Sequence, residues 1–260
     1  MRLDIDGRNC ELESGRSILD AVKKEGLDSI MLSDRPLAAQ IGGEVFNLRF
    51  TPKKDTQIHL LRYGEDMGRR VYERTLQFLL ILAMRKEFPR ARVCVRYSLG
   101  PGLFITVDGM EEPFNEEAAL KVETEMRRLV RLKLPLERRR ISIKEALSFY
   151  EQDGQADKAK LLKWRRFSYF DVYQIDGYMD YFYGEMAPDT SYADVFRVKY
   201  VHDGAVVLLM PRNDAPDVPS DYIDLPKLHA VFHQSDEWGK LMECATVNDL
   251  HTPVSYTHLR

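Results

Sequence analysis

An Asp6-Gly7 pair stands between two short alternating runs, Leu3 and Ile5 before it and Cys10 and Leu12 after it. Alternation places the apolar side chains on one face of a strand, and Asp-Gly readily adopts the positive φ angles of a two-residue hairpin turn. The chain therefore opens on a β-hairpin with one face to bury, and the next elements must cover that face. Ser14 is placed to cap a helix through Ile18, Leu19 and Val22 that Gly26 ends. Two more strands, Leu37 to Ile41 and Val45 to Phe50, meet at Gly42-Gly43, and a last short strand, Ile58 to Leu61, follows the polar turn Thr51 to Thr56. This order predicts a β-grasp unit over residues 1–62.

Tyr63 to Gly68 reads as a polar hinge and a domain boundary. Beyond it, Val71, Leu76, Phe78, Leu79, Leu80 and Leu82 predict a strongly apolar helix that stops before Pro89. Strands are expected over Val93 to Tyr97 and Leu103 to Val107, around Gly100-Pro101-Gly102. Glu116 to Leu132 forms an amphipathic helix with Leu120, Met126 and Val130 on one side and a Glu123–Arg127 pair at i,i+4. Ser142 with Glu145 makes a capping box, and a further helix spans Ala156 to Arg165. Strands follow over Phe170 to Ile175, Tyr178 to Tyr183, Val195 to Val201 and Ala205 to Met210, then helices over Leu225 to Ser235 and Trp238 to Leu250. The fold class is α+β.

Bulk properties exclude several functions. A net charge of −3 provides no global attraction to nucleic acid or anionic membrane. Cys10, Cys94 and Cys244 lack any C-x-x-C spacing, which argues against a zinc ribbon and fits a reducing cytoplasm. The start, MRLDIDGRNC, is no signal peptide, and the longest apolar stretch, Phe78 to Met84, covers about a third of the roughly 20 residues of a membrane span. A soluble cytoplasmic protein without a membrane partner is expected.

Residues 1–62 resemble a TGS domain, most clearly in PLAAQIGGEVFNLRF. Residues 69–210 resemble the second additional domain shared by threonyl- and alanyl-tRNA synthetases, through SLGPGLFITVDG (98–109), the segment 116–150 and DYFYGEMAPDT (180–190). GRRVYERTLQFLLILA (68–83), GQADKAKLL (154–162) and YFYGEMAP (181–188) resemble bacterial uridine kinase-like nucleoside kinases, which join both modules to a P-loop kinase domain. The resemblance implies a TGS-like β-grasp over 1–62 and a two-layer α/β editing-like domain over 63–250. It implies a regulatory or ligand-binding role without catalysis, beside a missing carboxyl-terminal kinase domain that would use ATP or GTP with Mg²⁺. The alternative is a freestanding RNA-binding or aminoacyl-tRNA editing-like protein. Residues 251–260, which contain TPVSYTHLR, match neither family and read as a non-native tail on a truncated chain.

The synthetase domain that this region resembles hydrolyses mischarged tRNA with H-x-x-x-H on a helix and a later C-x-x-x-H. Here Arg74 and Phe78 occupy the first pair of positions, and Phe182 and Met186 the second. Arginine and phenylalanine offer no lone pair, and methionine alone is a weak ligand, so no metal site and no catalytic residue are expected. Arg74 then supports two readings, a receptor for a phosphate or carboxylate of a nucleotide or RNA, and a structural residue. His229 and His233 share a helical spacing without further ligands near them. Arg127, Arg128, Arg131, Arg138, Arg139 and Arg140 form the densest basic run, either an RNA contact or a solvated helix face offset by Glu123, Glu125 and Glu137. Tyr169, Phe170, Tyr173, Tyr178, Tyr181, Phe182 and Tyr183 read as core packing. No G-x-x-x-x-G-K-[ST] loop is present.

Overall fold

The computed structural model describes residues 1–100, 102–162, 165–202 and 204–242. The chain is α+β, with several sheets. Backbone contacts divide it into two compact units, Met1–Glu137 with Tyr173–Tyr222, and Arg138–Val172 with the chain from Ile223 onward.

The first unit opens on the hairpin β1 (Arg2–Ile5) and β2 (Arg8–Glu11), turned by Asp6 at φ 50° and Gly7 at φ 82°. Helix α1 (Ile18–Lys24) is capped by Ser17, not Ser14: Ser17 accepts from the Asp20 amide while the Asp20 carboxylate accepts from the Ser17 amide. The acid three residues on decides the choice, because Ser14 has Ser17 at that offset and cannot complete the box. Strands β3 (Ala38–Ile41), β4 (Glu44–Phe46) and β5 (Thr56–Leu61) complete a five-stranded sheet of order β2-β1-β5-β3-β4. β1 and β5 pair in parallel and the other neighbours antiparallel. Leu3, Ile5, Ile18, Val22, Ile58 and Leu60 close its core.

The segment expected to be a polar hinge is packed. Tyr63 is fully buried and donates its hydroxyl proton to the Pro211 carbonyl at 2.7 Å. Helix α2 (Asp66–Glu87) starts inside that segment, and Gly68 presses on the Arg62 carbonyl so closely that a Cβ would lie 1.9 Å from it. Buried residues ring the middle of α2, which makes it a core helix. Strands β6 (Arg92–Leu99) and β7 (Gly102–Asp108) and helix α3 (Glu116–Leu132) follow, with α3 packed on α2. The buried face of α3 is Ala118, Ala119, Val122, Glu125, Met126 and Leu129; Leu120, expected on that face, is exposed.

The second unit takes β8 (Glu137–Ser142) from its second residue, α4 (Ile143–Gln152), α5 (Ala156–Leu162) and the first part of β9 (Tyr169–Ile175). Ser142 caps α4 through the Glu145 amide, as its spacing indicates. β9 then continues into the first unit, where it pairs antiparallel with β10 (Tyr178–Asp180). The strand expected to reach Tyr183 ends here, because the Asp180 carboxylate accepts from the Tyr181 amide and the Tyr178 hydroxyl and turns the chain. A 3-10 turn at Thr190–Tyr192 leads to β11 (Arg197–His202) and β12 (Ala205–Leu209), which join β7 and β6 in an antiparallel sheet of order β11-β12-β7-β6. A short ribbon, β13 (Pro211–Arg212) and β14 (Ala215–Pro219), completes the first unit. In the second unit, α6 (Pro226–Leu241) is one helix where two were expected, and residues 243–260, including the rest of the second expected helix and the tail, lie outside the described residues. Among the described residues no helix is long and apolar enough to cross a membrane.

Candidate functional site

Positions 74 and 78 lie one turn apart on α2 and share a face. That face meets the segment after β10. The Phe78 ring stacks on Tyr178, with centroids 5.8 Å apart, and meets Phe182 edge-on at 5.5 Å. Arg74 Nε donates to the Glu185 carbonyl at 2.9 Å. Its guanidinium lies on Gly184, where a Cβ would come within 2.9 Å of the Arg74 Cζ. Gly184 has φ 109°, which an L side chain rarely adopts, so the glycine makes this approach available. Phe78 and Met186 are fully buried. Arg74 and Phe78 thus both meet the segment that carries Phe182 and Met186.

Burial lowers the Arg74 guanidinium from its ordinary pKa while Tyr173, Glu73 and Glu185 oppose that shift; the group remains cationic. The segment is held at the level of its backbone. Thr75, buried beside Arg74, donates its hydroxyl proton to the Val71 carbonyl at 2.7 Å and accepts from the Ala187 amide at 3.0 Å. The Tyr173 hydroxyl donates to the Glu185 carboxylate at 3.0 Å and accepts from the Met186 amide at 3.2 Å. From the turn after β4, Asn47 Nδ2 donates to the Met186 carbonyl at 2.8 Å, and Arg49 Nε donates to that of Pro188 at 2.9 Å. Sequence reasoning passed over Thr75, Asn47 and Arg49. Thr75 did carry a signal, as a small hydroxyl residue set among the apolar positions of α2.

A neighbouring face of α2, with Arg69 and Glu73, lines an open cleft of about 510 Å³ with Ser98, Gly100, Arg212 and Asp214. Arg69 is engaged by Asp66 and Asn213, and Arg212 forms two hydrogen bonds with Asp214. The cleft is polar, and its cations are already paired.

The six arginines of the basic run do not share one helix face. Arg127, Arg128 and Arg131 are on α3, whereas Arg138, Arg139 and Arg140 are on β8 in the other unit. Arg127 pairs with Glu123 at 2.6 Å and lies over the Phe196 ring, and Arg128 holds both oxygens of buried Glu125. Arg131 is exposed at the end of α3. Of the aromatic cluster, Phe170, Tyr173 and Tyr178 are core, Tyr181 and Phe182 are half-buried, and Tyr169 and Tyr183 are exposed. His229 and His233 both lie on α6, and His233 faces Glu237 at 3.7 Å. Among the described residues no three His, Cys, Asp or Glu side chains are grouped to hold a metal.

No protein-family model matches the chain. It is similar to a threonine–tRNA ligase of Clostridium kluyveri, 25% identical over 194 residues, which cover 74% of this chain and 30% of the relative. The threonine–tRNA ligase of Acetivibrio thermocellus is 29% identical over 160 residues, 61% of this chain and 24% of the relative. That of Desulforamulus reducens is 26% identical over 157 residues, 60% and 24% respectively. The chain thus spans less than a third of the length of these relatives. They correct the nucleoside-kinase resemblance: the relatives are tRNA ligases. The segments behind that resemblance build α2, α5 and the stretch around Phe182. ATP, GTP, Mg²⁺ and a kinase domain were implied by that resemblance alone. What the comparisons support is a chain related to part of a threonine–tRNA ligase.

Proposed function

We propose that this chain is a tRNA-binding module built on an aminoacyl-tRNA editing-type domain whose hydrolytic pocket has been filled. Residues 1–62 then act as a TGS-type β-grasp domain and residues 63–250 as the editing-like domain. The observation that carries the reading is that Arg74 and Phe78 pack on the segment bearing Phe182 and Met186, with Phe78 and Met186 fully buried. These are the four positions at which the resemblance expects histidines and a cysteine. With an arginine, two phenylalanines and one thioether there, those positions lack the imidazole and thiolate donors that hold zinc or activate a water. Arg74 serves as the plug over Gly184 rather than as an anion receptor, since its Nε is committed to the Glu185 carbonyl. Arg131, with Arg127 and Arg128 beside it on α3, contributes phosphate contacts.

The test is equilibrium binding of a threonine-accepting tRNA transcript by fluorescence anisotropy, titrated with salt. Saturable binding that weakens linearly in log–log form with salt supports the reading. Absence of binding at low salt, or affinity equal to that for duplex DNA of the same length, overturns it. Arg74→Ala should leave the affinity unchanged, whereas a marked loss would make Arg74 the receptor.

A further inference from the structure

Helix α6 (Pro226–Leu241) has no buried residue, yet it carries an apolar row that stays exposed. Leu225, Leu228, Phe232 and Gly239 are half-buried and mark its inner side. With about 100° of rotation per residue, Val231, Trp238 and Met242 fall within about 40° of one another, roughly a quarter-turn from that side. Met242 caps the helix and remains on its spiral, its amide donating to the Trp238 carbonyl at 3.0 Å. Val231 is 61% exposed, Trp238 59%, Met242 67%, and Leu241 beside them 79%. Leu228, Val231, Ser235, Trp238 and Met242 follow one another at alternating spacings of three and four. A second helix can lie along a row so spaced.

We infer that α6 pairs antiparallel with α6 of a second copy of this chain along this row. Charge selects the occupant. Within the helix Lys227 and Lys240 are balanced by Asp236 and Glu237, so nothing draws it to a polyanion or an anionic membrane. Lys227 is exposed in the first turn, and Glu237, one flank with it, faces exposed His233 at 3.7 Å. In an antiparallel pair the same flanks of both copies meet. Centring the pair between Val231 and Ser235 sets Leu228 against the partner's Trp238 and Val231 against the partner's Ser235, so a small residue leaves room beside each indole. In that register Lys227 comes within two residues of the partner's Glu237, and symmetry repeats the pair. A parallel arrangement would instead set lysine beside lysine and glutamate beside glutamate. At about 150–250 Å² for a fully exposed large side chain, the four exposed residues present on the order of 500 Å² per copy. A pair then buries roughly 1,000 Å², the lower bound for a specific association, so the dimer is a weak one.

The experiment is sedimentation velocity on the full chain from about 1 to about 200 μM, without RNA. A monomer–dimer equilibrium is expected within that range. Trp238→Asp should weaken it at least about 30-fold. Lys227→Glu and Glu237→Lys should each weaken it roughly 2- to 30-fold, and the double reversal should return it to the wild-type value. Each reversal complements the helix dipole, with an acid at the amino end and a base near the carboxyl end, so neither acts by melting α6. A monomer throughout the range, or a dimer that Trp238→Asp leaves intact, would overturn the inference. Failure of the double reversal to recover would overturn the antiparallel pairing. A monomer that cosediments with phosphatidylcholine vesicles, and loses that binding in Trp238→Asp, would give the row to a membrane surface instead and overturn it too. Because no RNA enters the assay, its outcome is separate from that of the tRNA titration.

Discussion

Gly184→Ala should destabilise the first unit by about 2–4 kcal/mol, adding the strain of an L residue at a disfavoured φ to one lost hydrogen bond. The glycine has φ 109°, and a Cβ there would sit 2.9 to 3.1 Å from Cζ and both Nη atoms of Arg74. The backbone strain is about 1–3 kcal/mol and stays whatever the neighbours do. The contact is with the end of a flexible side chain, so Arg74 can swing away, but only by giving up its bond to the Glu185 carbonyl. A net neutral hydrogen bond is about 0.5–1.5 kcal/mol, and more for a charged donor. The assay is urea denaturation followed by far-ultraviolet circular dichroism, on Gly184→Ala, Arg74→Ala and the double variant. The clash is removed when Arg74 is already alanine, so the double variant should be less destabilised than the sum of the singles by about 0.5–1.5 kcal/mol. Strict additivity, or a Gly184→Ala cost below about 0.5 kcal/mol, would refute the packing of Arg74 onto Gly184.

Other parts of the structure give equally direct expectations. Gly68→Ala ordinarily gains about 1 kcal/mol inside a helix, yet here a Cβ would lie 1.9 Å from the Arg62 carbonyl oxygen, which is backbone. A net loss of about 1–3 kcal/mol in the same urea assay is expected, and a gain would contradict the close approach. Thr75→Val keeps the shape and strands the buried Ala187 amide, so it should lose about 1–3 kcal/mol. Retained stability there would mean that the 184–188 segment is not held by α2. His59 lies between Glu65 at 2.7 Å and Asp6 at 2.8 Å, and those hydrogen bonds raise its pKa above 6.5. A raised folded-state pKa stabilises fully below the ordinary value and is lost as pH rises through the raised one. Tm should therefore fall more for wild type than for His59→Gln between about pH 6 and 8, and parallel curves would refute the pairing.

The parts of this fold legible in the sequence are those written in adjacent residues. The Asp6-Gly7 hairpin, the Ser142 cap and the apolar run of α2 follow from local pattern, and the structure has each of them. Ser14 stands before the apolar positions as a cap would, and only the reciprocal bond to Asp20 distinguishes Ser17. Arg138 to Arg140 could not be recognised as a strand, since Asp171, which pairs with Arg138 and Arg140, lies some thirty residues on and the run has no apolar alternation. That missed strand also concealed Tyr169, distant in sequence, whose ring lies under the Arg140 guanidinium. The substituted positions 74, 78, 182 and 186 were located by resemblance. Their supports were not, because Asn47 and Arg49 act through the backbone carbonyls of a segment more than 130 residues away.

The central claim is tested most directly by incubating a serine-charged, threonine-accepting tRNA with a saturating amount of the chain. Retention of the RNA and release of the amino acid are followed in the same samples. The account predicts that the tRNA is bound while the ester decays at the rate seen in buffer alone. Accelerated release of serine would contradict it and identify a working hydrolytic site in place of the filled one. A tRNA that stays unbound would contradict the other half of the claim.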